Sequence, residues 1–287
     1  MQKRIQTAIS EIAYLEWGSP EGIPILALHG WLDNASSFEP LADFFSKKNL
    51  DYHIVAIDFP GHAYSSWRPE RTVFSFIDYI ADIKAILLNL NWKSCIMLGH
   101  SMGGGLASLF SGTFPELVDK LILIEALGPV TREASEAPEN LALAINRFLD
   151  HSSREEESGR FRSLDQLIKL RLRAGKMKLD SAKLLIERGT ELLSDGTFRL
   201  RRDPRLNLPS FLRLTESQVI EFLSRISSPS LLIWGEEGYQ WEKKVLQKRA
   251  EAVRELKQIT VKGNHHLHMD EPESVGQIIE DFIRGSK

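Results

Sequence analysis

The sequence predicts an α/β fold, with a mostly parallel sheet flanked by helices and a helical insertion late in the chain. Three observations carry this. Short apolar runs rich in Ile, Leu and Val recur along the chain, helix-length stretches separate most of them, and the alternation stops between Leu127 and Ser227. Runs of that kind suit strands buried on both faces, and their alternation with helices argues for parallel pairing.

The elements follow in order. Arg4 to Trp17 reads as two adjacent strands, which would add an antiparallel edge. The buried strands are expected at Ile23–Leu28, His53–Ile57, Cys95–Leu98, Lys120–Ile124, Ser230–Trp234 and Leu256–Val261. Between the second and third of these, Phe74–Leu90 places Phe76, Ile77, Ile80, Ile83, Leu87 and Leu90 at helical spacing. A helical run at Leu106–Phe114 follows the third, and Pro272–Arg284 closes the chain as a helix. Residues 127–227 lack a clear central strand and read as an inserted helical cap, with helices at Asn140–Asp150, Leu164–Arg173, Ser181–Leu193 and Glu216–Leu223. Pro204 and Pro209 punctuate the path between the last two. Residues 1–126 and 228–287 then form the core, with the cap inserted after the sixth strand.

Composition narrows the function classes. A chain of 287 residues can bury a large core, and its 43% hydrophobic and 26% charged residues are those of an ordinary globular protein. A formal net charge of −3 gives no whole-protein attraction to nucleic acid. Arg199, Arg201, Arg202 and Arg205 are locally basic and read first as a solvated face, with attraction of an anionic leaving group as the alternative. The single cysteine, Cys95, excludes an intrachain disulfide and a cysteine metal cluster, and fits a reducing cytoplasm. Met1 to Ser10 contains no apolar leader core, and no later run approaches spanning length, so neither export nor membrane insertion is expected.

The strongest local signal is Gly99-His100-Ser101-Met102-Gly103, directly after an apolar strand and before a helical run. It fits the G-x-S-x-G nucleophile elbow: a strand turning sharply into a helix leaves no room for flanking side chains and pushes the serine out at the helix N-terminus. There the Met102 amide can donate to a developing oxyanion. A serine hydroxyl needs a base, and histidine is the usual one because its ordinary pKa lies near 6.5. Three of the eight histidines crowd into Gly263-Asn264-His265-His266-Leu267-His268, where the last strand ends. In open α/β sheets, sites gather at such strand ends. A metal reading of the cluster lacks the helical His pair and glutamate of H-E-x-x-H, so no metal is expected.

Together, His29-Gly30, Asp58-Phe59-Pro60-Gly61-His62, Gly99-His100-Ser101-Met102-Gly103-Gly104 and Gly263-Asn264-His265 resemble the α/β-hydrolase superfamily. The resemblance runs through the core on both sides of the insertion, and the chain looks most like bacterial hydrolases related to the serine hydrolase-like proteins and the Kraken group. It implies an α/β-hydrolase fold, His265 as the catalytic histidine, and Trp31 as the second oxyanion amide. His266 and His268 are then packing or hydrogen-bonding neighbours, and His29 is structural. Asp58 and Gly61 are expected to shape a loop, Cys95 to pack inside a strand, and Asn34 and Tyr64 to make ordinary loop contacts, with contact to substrate as the alternative.

The triad acid departs from the commonest family pattern. Many relatives carry an aspartate where this chain has Gly238, within Trp234-Gly235-Glu236-Glu237-Gly238. Others carry the acid one strand earlier, which here is Glu125, and Glu125 is favoured over Glu237 or Glu236. A glutamate merely capping the insertion's first turn is the plain alternative. The resemblance thus implies a serine hydrolase that cleaves a small-molecule carboxylic ester through an acyl-enzyme, with no cofactor. The competing readings are a thioester or carbon–carbon hydrolase, and a small-molecule receptor that turns over slowly or not at all.

Overall fold

A computed structural model of the chain describes residues 2–152 and 159–285. Its first half lays down six strands and three helices: β1 (Gln2–Gln6), β2 (Glu11–Gly18), β3 (Ile23–Leu28), α1 (Glu39–Lys47), β4 (Tyr52–Ile57), α2 (Asp78–Asn89), β5 (Cys95–His100), α3 (Met102–Thr113) and β6 (Val118–Ile124). β4 and β5 are buried at every position, as continuous apolar runs demand of central strands. α2 begins four residues later than its apolar period suggests. Phe74 and Phe76 still pack on the core, but Ile77 is left exposed.

The insertion follows as α4 (Ala137–Ser152), β7 (Arg160–Phe161), α5 (Leu164–Ala174), α6 (Leu179–Arg188), β8 (Thr190–Leu192), β9 (Phe198–Leu200) and α7 (Glu216–Ser224). It is not purely helical. β7, β9 and β8 form a small antiparallel sheet, and the helix expected to reach Leu193 stops at Arg188. Two- and three-residue strands are too short to show alternation, and the β8–β9 turn depends on Gly196 at φ 80°. Leu167, Ile168, Ala182 and Ile186 make a separate small core beneath this sheet. α7 instead lies against α3 and buries Val219 and Leu223 in the main core.

β10 (Ser230–Glu237), α8 (Lys243–Ala252), β11 (Leu256–Asn264), α9 (Leu267–Asp270) and α10 (Pro272–Arg284) complete the chain. The strand order is β1-β2-β4-β3-β5-β6-β10-β11. β4 through β11 run parallel, while β1 and β2 form the expected antiparallel edge. One apolar layer joins the sheet to α2, α3 and α7, and the other joins it to α1 and α10. The loops after β3, β5, β6, β10 and β11 therefore converge at one end of the sheet, where ligands of such folds bind.

Candidate active site

Ser101 sits between β5 and α3 at φ 51° and ψ −114°, a backbone conformation that side chains other than glycine rarely adopt. The surrounding glycines make it possible. A Cβ on Gly99 would lie 2.5 Å from the Gly103 carbonyl oxygen, and one on Gly103 would lie 2.0 Å from that of Leu28. Either would push α3 off the sheet. The Ser101 amide donates to the Ile124 carbonyl at 3.0 Å, which ties the turn to β6.

His265 leaves the end of β11 with its Nε2 2.9 Å from Ser101 Oγ and its Nδ1 3.0 Å from Glu125 Oε2. Glu125, at the end of β6, is almost completely buried and also has a positive φ, 59°. A buried carboxylate is costly unless its lone pairs are met. Here the Gly235 and Tyr239 amides each donate to it at 2.6 Å, so with His265 it has three partners. Glu236 is exposed, and the exposed Glu237 lies 3.6 Å from Lys176 rather than at His265. Gly238 leaves room for this carboxylate: a Cβ there would lie 2.2 Å from Glu125 Oε1. Glu125 fills the space that a side chain at Gly238 would need.

The Trp31 and Met102 amides donate to no protein acceptor among the described residues. Met102 opens α3, so its amide is one of the helix's unpaired donors. Ser101 and His265 open into a cavity of about 920 Å³, walled by the loop after β3, by Tyr239 and, from the insertion, by Phe161, Leu167 and Leu185. Trp31 is half exposed on this wall, and its indole Nε1 donates to the Leu206 carbonyl at 3.2 Å. The arrangement can deprotonate a hydroxyl, hold the resulting imidazolium against a carboxylate, and offer two amides to an oxyanion.

Residues 23–272 match the model of the alpha/beta hydrolase fold family. The chain belongs to that family. It is 31% identical to a serine hydrolase-like protein of Danio rerio over 276 residues, covering 93% of this chain and 83% of that one. It is 34% identical to the human serine hydrolase-like protein 2 over 297 residues, covering 95% and 90%. A hypothetical protein from Pseudomonas aeruginosa PAO1, known as a crystal structure, superposes with a TM-score of 0.91 at 33% identity over 99% of both chains. The α/β-hydrolase fold and the likeness to serine hydrolase-like proteins both agree with the sequence motifs.

Behind the Ser101–His265 pair, this α/β-hydrolase buries a second polar group that sequence reasoning missed. Asp33 Oδ1 accepts from Arg171 of α5 at 2.6 Å, and Asp33 Oδ2 lies 3.2 Å from His266 Nε2. Burial alone would raise the Asp33 carboxyl, but His266, Arg171 and His100 outweigh it and hold it well below the usual range. Asp33, His100 and His266 are close enough together to suggest a metal site. The Arg171 guanidinium, also 3.0 Å from His266 Nε2, already supplies the positive charge there. Arg171 follows Asp33 by 138 residues, a pairing with no local signal.

Other assignments are refined. His29 is structural, accepting the Phe59 amide at 3.0 Å. Asp58 does more than shape its loop: it receives two bonds from Arg188 of α6 and a third from the Ala35 amide, fastening the insertion to the core. Asn34 donates to the Leu185 carbonyl of the same helix at 2.9 Å, and Tyr64 lies beneath Arg188 and Arg201. The arginines do not form a uniform solvated face. Arg199 pairs with Glu191, and Arg205 is bound by Asp203 and by the Arg68, Pro69 and Thr72 carbonyls. Cys95 is buried in β5, which pushes its thiol up to about 12, the behaviour of a packing residue.

Proposed function

We propose that the protein hydrolyses a carboxylic ester of a small molecule through an acyl-enzyme intermediate, with Ser101 as nucleophile, His265 as general base and Glu125 as the triad acid. One observation carries the reading: the hydrogen-bonded line from Ser101 Oγ through His265 to Glu125, at 2.9 and 3.0 Å. A receptor has no need of a serine aligned on a histidine that is itself held by a buried carboxylate.

Ser101 Oγ attacks the ester carbonyl carbon as His265 Nε2 takes its proton, and the carbonyl oxygen becomes an oxyanion between the Trp31 and Met102 amides. Collapse expels the alcohol, which takes the proton back from His265. Water then attacks the acyl-enzyme with His265 again as base, and the acid leaves as Ser101 recovers its proton. Glu125 holds the imidazole tautomer and balances the imidazolium. No cofactor enters any step. Residues 127–227 act as a cap over a core of residues 1–126 and 228–287, excluding water and shaping the acyl site through Phe161, Leu167 and Leu185. The lone cysteine supports a reducing compartment, the cytoplasm, as the place of action.

The test is hydrolysis of p-nitrophenyl esters from acetate to decanoate by wild type and Ser101→Ala in parallel. Turnover by wild type that falls about 10⁴-fold or more in the variant is expected. Equal rates in the two proteins would overturn the assignment of Ser101.

A further inference from the structure

The cavity beside Ser101 carries four basic side chains, Arg171, Lys176, Arg201 and Arg202, against two carboxylates, Asp33 and Glu237. Three of the cations are accounted for. Arg171 is bound to Asp33, and Lys176 lies 3.6 Å from Glu237 at the exposed rim. Arg201 lies 3.4 Å from Glu191, donates to the Thr190 carbonyl and covers the Tyr64 ring at 4.4 Å. Arg202 differs from all three. It is half-buried, and among the described residues its side chain has neither a carboxylate partner nor a hydrogen bond.

A guanidinium held partly out of water without a counter-charge is unfavourable, and here burial and the nearby Arg171 charge both press against its charged form. Its backbone nevertheless keeps it in place. Arg202 pairs with His62 across an isolated bridge, and the next amide, Asp203, donates to the Gly61 carbonyl at 2.8 Å. The His62 ring in turn accepts the Leu32 amide at 3.3 Å, within the loop that carries Trp31. The residue is thus anchored on the wall of the cavity into which Ser101 opens.

Resting on the ester-hydrolase reading, we infer that Arg202 is a specificity residue that binds a carboxylate carried by the substrate, so that the preferred ester is anionic. The planar guanidinium matches a carboxylate in two parallel hydrogen bonds, and the substrate supplies the counter-charge that the protein withholds. With the other three cations paired, Arg202 leaves the cavity wall one uncompensated positive charge to attract such an ester.

Two matched pairs of substrates test this. Mono-p-nitrophenyl glutarate against p-nitrophenyl valerate places the charge on the acyl side; 3-acetoxybenzoate against 3-acetoxytoluene places it on the leaving group. The readout is the kcat/KM ratio of charged to neutral ester within one preparation, which is independent of the folded fraction. In one of the pairs wild type favours the charged ester, Arg202→Gln lowers the ratio about 10- to 100-fold, and Arg202→Lys falls between. An unchanged ratio in both pairs overturns the proposal. If wild type cleaves no ester, the hydrolase reading fails separately, and calorimetric titration with glutarate decides the site. Binding weakened at least about 10-fold by Arg202→Gln upholds it, whereas no binding, or equal binding, overturns it.

Discussion

His265 and its neighbours His100, His266 and His268 lie side by side and meet opposite fates. His265 has both ring nitrogens engaged, on Ser101 and Glu125, and keeps nearly a third of its side chain open to solvent. His268 is sealed off with neither nitrogen hydrogen-bonded, its ring 4.1 Å from that of His100, and His100 and His266 each leave Nδ1 without a hydrogen bond, although His100 Nδ1 lies 3.7 Å from Asp33 Oδ2. His100 Nε2 reaches only the His265 carbonyl, at 2.8 Å. The difference shows that ring chemistry does not set the role. A buried carboxylate and an open cavity align one histidine on Ser101, while the others form a buried wedge beneath its loop.

The largest expected effect breaks the wired side of this pair. Glu125→Gln is expected to lower kcat by about 10²–10⁴-fold, because the imidazole loses its orienting charge. Gly238 sharpens the result. Gly238→Asp alone forces a second carboxylate against Glu125 and costs about 1–3 kcal/mol of stability in urea denaturation. In a Glu125→Ala background the space is free, so Glu125→Ala/Gly238→Asp should recover activity that Glu125→Ala lacks. A double variant no faster than the single one would mean that the Gly238 site cannot serve His265.

The sealed histidines should appear in stability against pH. Burial lowers His268 to about 3, His62 to about 3 and His29 to about 4, and it takes His100 well below its ordinary value. In the unfolded chain each protonates near 6.5. Above that pH neither state takes the proton and stability is full. As pH falls from 6.5 towards 3–4 the unfolded chain alone is protonated, so stability declines, by the slope of one proton for each of these four histidines. Urea midpoints measured from pH 8 to pH 4.5 test this, and His268→Phe should flatten the decline. An unchanged slope in that variant would show that His268 is not held neutral.

A smaller effect separates the wedge from the insertion. Arg171→Met leaves Asp33 buried without its cation and should cost about 3 kcal/mol, measured by urea denaturation at pH 7. A cost near zero would mean that the contact does not hold the insertion down.

The sequence alone determined what local chemistry dictates: the order of the buried strands, the antiparallel edge, the turn at Ser101 and the loop that presents His265. Each depends on residues adjacent in the chain, where a glycine beside a serine or an unbroken apolar run limits the backbone directly. Glu125 could be favoured over Glu236 and Glu237 from the sequence, but its contact with His265 is spatial: its carboxylate occupies the room beside Gly238 and meets amides from β10 and the turn after it. The small sheet of the insertion, the Asp33–Arg171 and Asp58–Arg188 ties and the unpaired Arg202 were decided only by tertiary structure. In each, strands too short to show a period, or charges more than a hundred residues apart in the two ties, acquire their environment only when the insertion closes over the sheet.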